Sequence, residues 1–138
     1  MAAQARVIQS WGRNVNVKIP VTNTKGEFTG PIIEKLSAEG VQLNVTAVFS
    51  LDQVRAITNA LAAETPAIVS VFAGRIADTG MDPMPLMAEA LAAGDIDAFC
   101  VGEPWGSVAV DQGAGALLLP GKAIWSFAPE KVLAVRTD

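Results

Sequence analysis

Five side chains carry most of the chemistry this sequence offers: Lys18, Asn44, Thr46, Ser70 and Arg75. The first four lie in short apolar stretches that alternate with a period of two, and side chains alternate across a strand in that way. Asn16 and Lys18 therefore share a face opposite Val15, Val17 and Ile19. Asn44 and Thr46 oppose Leu43, Val45 and Ala47, and Ser70 opposes Val69 and Val71. Arg75 follows just beyond the third stretch. Three successive strands thus place polar groups on one face near their C-terminal ends, where parallel α/β folds bind ligands. A lysine on the interior face of a sheet is costly unless it is neutral, paired or wet. Desolvation favours its neutral amine, which makes Lys18 a candidate Schiff-base nucleophile. Ser70 and Arg75 supply the donors that suit a phosphate. The plainer reading is that Lys18 runs its stem to the sheet edge while the others cap loops. Spacing alone leaves both readings open.

Other chemistries are removed by composition. The chain has no histidine, which excludes Ser-His-Asp and Cys-His triads and His-ligated metals. Its single cysteine, Cys100, excludes an internal disulfide and reads as a buried thiol with no partner base. Asp95 and Asp97 read as solvated turn residues at the start of a strand. No metal or cofactor is expected. The net charge is −4 and the basic residues are scattered, so no nucleic-acid partner is expected. No apolar run reaches the roughly 20 residues that cross a bilayer. The start of the sequence lacks a signal-peptide pattern, so a cytoplasmic, recombinantly expressed protein is expected.

These residues need a scaffold, and its elements are readable. A first helix is predicted over Ala2–Trp11, with Ala3, Val7, Ile8 and Trp11 on its buried face and Trp11 in the core. A strand follows over Asn14–Val21. Pro31 and Gly40 bound a helix with an apolar stripe of Ile32, Ile33 and Leu36. Val41–Phe49 is the next strand. Ser50 and Gln53 form a capping-box pattern before a helix that buries Val54, Ile57 and Leu61. Ala67–Phe72 is a strand, Asp82–Ala93 a helix stopped by Gly94, and Ile96–Val101 a strand. Pro104 restarts helix to about Asp111. Ala116–Leu119 and Val132–Val135 complete the pattern as short strands. Trp125 and Phe127 fall between these last two as cover for the sheet. This alternation predicts a mainly parallel sheet with right-handed crossovers.

Two resemblances follow. Val17-Lys18-Ile19-Pro20-Val21-Thr22, then Asn44-Val45-Thr46-Ala47, then Ser70-Val71-Phe72-Ala73-Gly74-Arg75-Ile76 resemble the fourth to sixth strands of the transaldolase and fructose-6-phosphate aldolase family, a (βα) barrel. The likeness covers roughly residues 1–90. It implies that Lys18 is the Schiff-base lysine, that Asn44 and Thr46 are active-site polar residues, and that Ser70 and Arg75 contact substrate phosphate. From Gly94-Asp95-Ile96-Asp97-Ala98-Phe99-Cys100-Val101-Gly102-Glu103-Pro104-Trp105, and again at Pro129–Arg136, the chain is similar to substrate-binding proteins of nitrate-type ABC transporters. That likeness covers roughly residues 90–138 and implies a weak anion site at Gly102 and Trp105, at the start of a helix.

Together they imply one α/β domain over 1–138. Its expected form is a three-layer αβα sandwich with about five strands, like a periplasmic-binding-protein lobe or flavodoxin. The barrel piece lacks the family's acid–base strands and the transport piece lacks its second lobe. The expected reading is therefore an engineered fold chimera that tests fragment recombination, with no physiological activity and no enzymatic role. The alternatives are residual Schiff-base aldolase chemistry at Lys18 and weak binding of a nitrate-like anion. No partner is required; a monomer is expected, with a two-fold homodimer over the polar stripe as the alternative.

Overall fold

Helix α1 (Ala2–Gln9) precedes β1 (Val17–Pro20), α2 (Gly30–Ala38), β2 (Leu43–Val48), α3 (Leu51–Ala60), β3 (Ala67–Val71), α4 (Ala73–Asp78), α5 (Met84–Ala92) and α6 (Trp105–Asp111). The structure is a computed structural model that describes residues 1–98, 105–113 and 116–117. The chain divides into two compact units, Met1–Ala98 and Phe99–Asp138. The described part of the second unit contributes α6.

The first unit is α/β, with three parallel strands in the order β1-β2-β3 and helices flanking them, an arrangement consistent with a three-layer αβα fold. Five strands are not found among the described residues. Ile96–Ala98 and Ala116–Leu117 are not in strand; the remainder of those two predicted strands, with Val132–Val135, lies outside the described residues. Trp125, Phe127 and Cys100 also lie outside them.

Register is explicit. Lys18 pairs with Asn44, Ile19 with Val45 and Pro20 with Thr46. Asn44 pairs with Ile68 and Val45 with Val69, but the next pair is Val48 with Val71. Thr46 and Ala47 thus stand opposite Ser70 alone, which is a β-bulge. Ala47 adopts a φ of 61° there, the left-handed region that non-glycine residues enter at a cost of about 1–2 kcal/mol.

The core sits on one face of the sheet. Val17, Ile19, Leu43 and Val45 pack with Ile33 and Leu36 of α2 and Val54 and Ile57 of α3, and all are at most 2% exposed. The ends of α2 show why it lies there. Thr29 just before it shares its one hydroxyl proton between the carbonyls of Pro20 and Val21, at 2.8 and 3.1 Å, sewing the helix start to the end of β1. At the other end Gly40 has φ 80°. Its N–H donates to the Ser37 carbonyl and the Val41 N–H to that of Leu36, the paired bonds of a Schellman motif. Gly94 closes α5 in the same way, with φ 74° and bonds from Gly94 and Asp95 to Leu91 and Ala90. The capping box of α3 is complete: the Gln53 N–H donates to Ser50 Oγ, and Gln53 Oε1 accepts from the Ser50 N–H.

Helix α5 is continuous, and the Asp82 carboxylate accepts from the Met84 N–H at its start. Helix α4 was not predicted; it begins directly after β3 and has no side-chain cap.

The expected burial of α1 is corrected. Trp11 is 71% exposed and Val7 59%, while Ala5 is buried and Ala2 and Ile8 pack against the core. The helix rests on the Ala2, Ala5 and Ile8 stripe because small alanines allow close approach. Arg6 fixes that rotation with two hydrogen bonds to Glu39, at 2.7 and 2.8 Å. Asp95 is corrected too. It is not a free solvated residue but pairs with Arg55 Nε at 3.2 Å, and Arg55 also reaches Glu89 at 3.3 Å.

Candidate functional site

The polar stripe occupies the face of the sheet opposite α2 and α3. In a parallel sheet neighbouring strands lie about 4.8 Å apart, so the Lys18–Asn44 and Asn44–Ile68 pairs set the three strands' contributions side by side. Ser70 is two residues beyond Ile68 and returns to the same face. Its hydroxyl donates to Asn44 Oδ1 at 2.7 Å. Lys18 and Asn44 stand level, and Ser70, one step further along β3, extends them diagonally into a polar row across β1, β2 and β3.

Lys18 is exposed and makes no hydrogen bond or ion pair among the described residues. The interior position expected of this lysine is not found, because this face is open: Ile68, two strands away on the same face, is 45% exposed. Thr46 sits at the bulge, 8% exposed, and its Oγ1 has no hydrogen-bond partner among the described residues. Buried hydroxyls are rarely left so.

Arg75 lies in α4, exposed, and forms no ion pair among the described residues. Ser70 and Arg75 do not bond one another. Gly102 lies outside the described residues, and Trp105 is described only as the first residue of α6.

Two residues went unweighed in the sequence. Phe49 and Phe72 follow directly after β2 and β3 and meet edge to face, ring centroids 5.6 Å apart. Phe49 is 46% exposed, so an apolar wall stands at the C-terminal ends of the two strands that carry Asn44 and Ser70. Their position immediately after each polar residue's strand was the available signal. Among the described residues no group of three or more His, Cys, Asp or Glu could hold a metal ion. None of the described helices is long and apolar enough to cross a membrane.

The predicted placement at the C-terminal strand ends is corrected: Lys18 and Asn44 are each the second residue of their strand, and Ser70 alone stands near the end of its own. A lysine whose amine has no partner among the described residues, beside an amide already held by a hydroxyl, suits carbonyl chemistry. Comparison with known proteins agrees. The Transaldolase/Fructose-6-phosphate aldolase family matches residues 1–97. The chain belongs to this family. A probable transaldolase of Dehalococcoides mccartyi is 48% identical over 87 residues, 63% of this chain and 37% of that protein. The chain thus spans little more than a third of the length of this transaldolase.

The chain is also similar to nitrate-transport proteins. A nitrate import ATP-binding protein of Synechocystis is 50% identical over 56 residues, 41% of this chain and 8% of that protein. A nitrate/nitrite binding protein of Synechococcus elongatus is 39% identical over 62 residues, 45% of this chain and 14% of that protein. Both expected resemblances are present. The expectation that the chain has no enzymatic role is overturned: it belongs to an enzyme family, with a probable transaldolase 48% identical over the matched stretch.

Proposed function

We propose that the chain is an engineered chimera whose transaldolase-family part performs Schiff-base carbonyl chemistry at Lys18. The observation that carries the chemistry is the row Lys18–Asn44–Ser70 on the open sheet face, with no partner on the Lys18 amine among the described residues. The ε-amine, once neutral, attacks a ketose carbonyl carbon. A C–N bond forms, the carbonyl oxygen takes up protons and leaves as water, and a protonated imine remains on Lys18. Asn44 stands next to that carbon. Arg75, exposed and without an ion pair among the described residues, is the candidate for a substrate phosphate, and Thr46 completes the polar set.

The chimera reading is supported by two family likenesses within one chain. The 56-residue likeness to the nitrate import protein is longer than the stretch beyond residue 97, so the two overlap. A join within α5, at about residue 90, agrees with that overlap and with the unbroken helix over Met84–Ala92. A cytoplasmic location and an absence of obligatory partners belong to the same reading.

Borohydride trapping tests the chemistry. Incubation with fructose 6-phosphate and sodium borohydride is expected to add one reduced ketose to the unmodified chain, read by mass spectrometry and mapped to Lys18. The adduct is expected to vanish in Lys18→Met. No adduct on the unmodified chain, or one that persists in Lys18→Met, overturns the proposal.

A further inference from the structure

Ser70 and Asn44 face each other across β2 and β3, and the sense of their hydrogen bond matters. The Ser70 hydroxyl donates to Asn44 Oδ1 at 2.7 Å. A serine hydroxyl has one proton to give. Spent on Asn44, it is not available to a phosphate oxygen, which only accepts. The bond also fixes the amide. With Oδ1 turned to β3, the Nδ2 group, which carries two donors, is turned away from Ser70. The strand on the other side of Asn44 is β1, where its register partner is Lys18.

We infer that Ser70 is a positioning residue rather than a phosphate ligand. It holds the Asn44 amide so that Nδ2–H serves the oxygen of the carbonyl under attack by Lys18. That oxygen gains negative charge as the C–N bond forms, and a donor already aimed at developing charge lowers the barrier because it need not reorient. Without the Ser70 hydroxyl the amide rotates freely about its last torsion, which is soft and roughly two-fold. The donor is then correctly placed only part of the time. The inference rests on the Schiff-base reading of Lys18, and it adds the residue that acts through Asn44.

The test has a chemical arm and a structural arm. In the chemical arm, borohydride trapping is timed with fructose 6-phosphate and with unphosphorylated dihydroxyacetone. Ser70→Ala is expected to slow trapping of both by a similar factor, roughly ten- to a hundredfold. Ser70→Thr, which keeps the hydroxyl, is expected to restore most of the rate. In an Asn44→Ala background, Ser70→Ala is expected to add no further loss, since its action passes through Asn44. A loss confined to the phosphorylated ketose would make Ser70 a phosphate ligand and overturn the inference, as would unchanged trapping in Ser70→Ala.

The structural arm needs no substrate. The Asn44 side-chain NH2 resonances are expected to shift in Ser70→Ala and return in Ser70→Thr. Identical resonances in all three proteins would overturn the inference even where trapping at Lys18 succeeds. Failure of the unmodified chain to form any adduct overturns the Schiff-base reading and this inference with it, so the two failures are told apart.

Discussion

The two faces of the β1–β2–β3 sheet come from the same strands, yet they share almost nothing. Toward α2 and α3, Ile19, Leu43 and Val45 are at most 1% exposed. On the opposite face Lys18 is exposed, Ile68 is 45% exposed, and the Ser70 hydroxyl donates to Asn44 Oδ1. Period-two alternation lets one residue serve stability and the next serve chemistry without compromise between them. The teaching is that the two properties are separable here, residue by residue.

The sharpest way to break that separation is a matched pair of substitutions on adjacent strands. Leu43→Ala on the helix side is expected to cost about 2–5 kcal/mol, as large-to-small changes in a closed core do. Lys18→Met on the open face is expected to stay within ~0.5 kcal/mol of the unmodified chain. Urea unfolding followed by circular dichroism measures both. A Lys18→Met variant as unstable as Leu43→Ala would show that the two faces are not independent.

A smaller effect is expected at Ser50, whose Oγ accepts from the Gln53 N–H on the helix side of the molecule. Ser50→Ala is expected to lower stability by about 0.5–2 kcal/mol, and Ser50→Asp to recover most of it. Trapping at Lys18 is expected to be unchanged in both while the chain is folded. A trapping defect in Ser50→Ala would mean that the α3 start and the polar row are coupled.

The smallest effect concerns Arg6 and Glu39. The hydrogen bonds from Arg6, with some opposition from desolvation, hold the Glu39 carboxyl below its ordinary 4.5, and the same bonds raise Arg6 above its ordinary value. A depressed carboxylate stabilises fully above its unfolded value and loses that contribution as pH falls through the folded one. Raised Arg6 contributes fully across the acid and neutral range and fades only on strong alkalinisation. The difference in urea midpoint between the unmodified chain and Glu39→Gln is therefore expected to be constant at neutral pH and to close as pH falls below 4.5. A gap that persists at low pH would assign the effect to packing of α1 rather than charge.

Much of this arrangement was legible. The polar row followed from alternation around Lys18, Asn44 and Ser70, and the α3 start from Ser50 and Gln53. Gly40 and Gly94 marked helix ends because their positive φ suits glycine. What escaped depended on partners distant in sequence. The rotation of α1 was misread because Val7 and Trp11 offer a plausible apolar stripe, whereas the observed face depends on Arg6 reaching Glu39. Asp95 looked solvated until Arg55, forty positions earlier, came into range. Helix α4 was too short and too poor in caps to announce itself. The Ser70–Asn44 bond was invisible because alternation gives a residue's face but not where its proton points.

The bulge at Thr46 and Ala47 works like a frameshift within β2. Counting by twos from Val45 would send Val48 outward and Phe49 into the core. The extra residue reverses that phase: Val48 is 0% exposed and Phe49 46%. The strand thus exchanges an aromatic ring for a valine at its core-facing end and delivers the ring to Phe72. Straightening β2 with all its residues kept would restore the count and swap the two side chains, whereas deleting Ala47 would keep Val48 inward by plain alternation. The straightened strand would drive a phenylalanine into space shaped for valine and strip the C-terminal end of β2 of its aromatic wall.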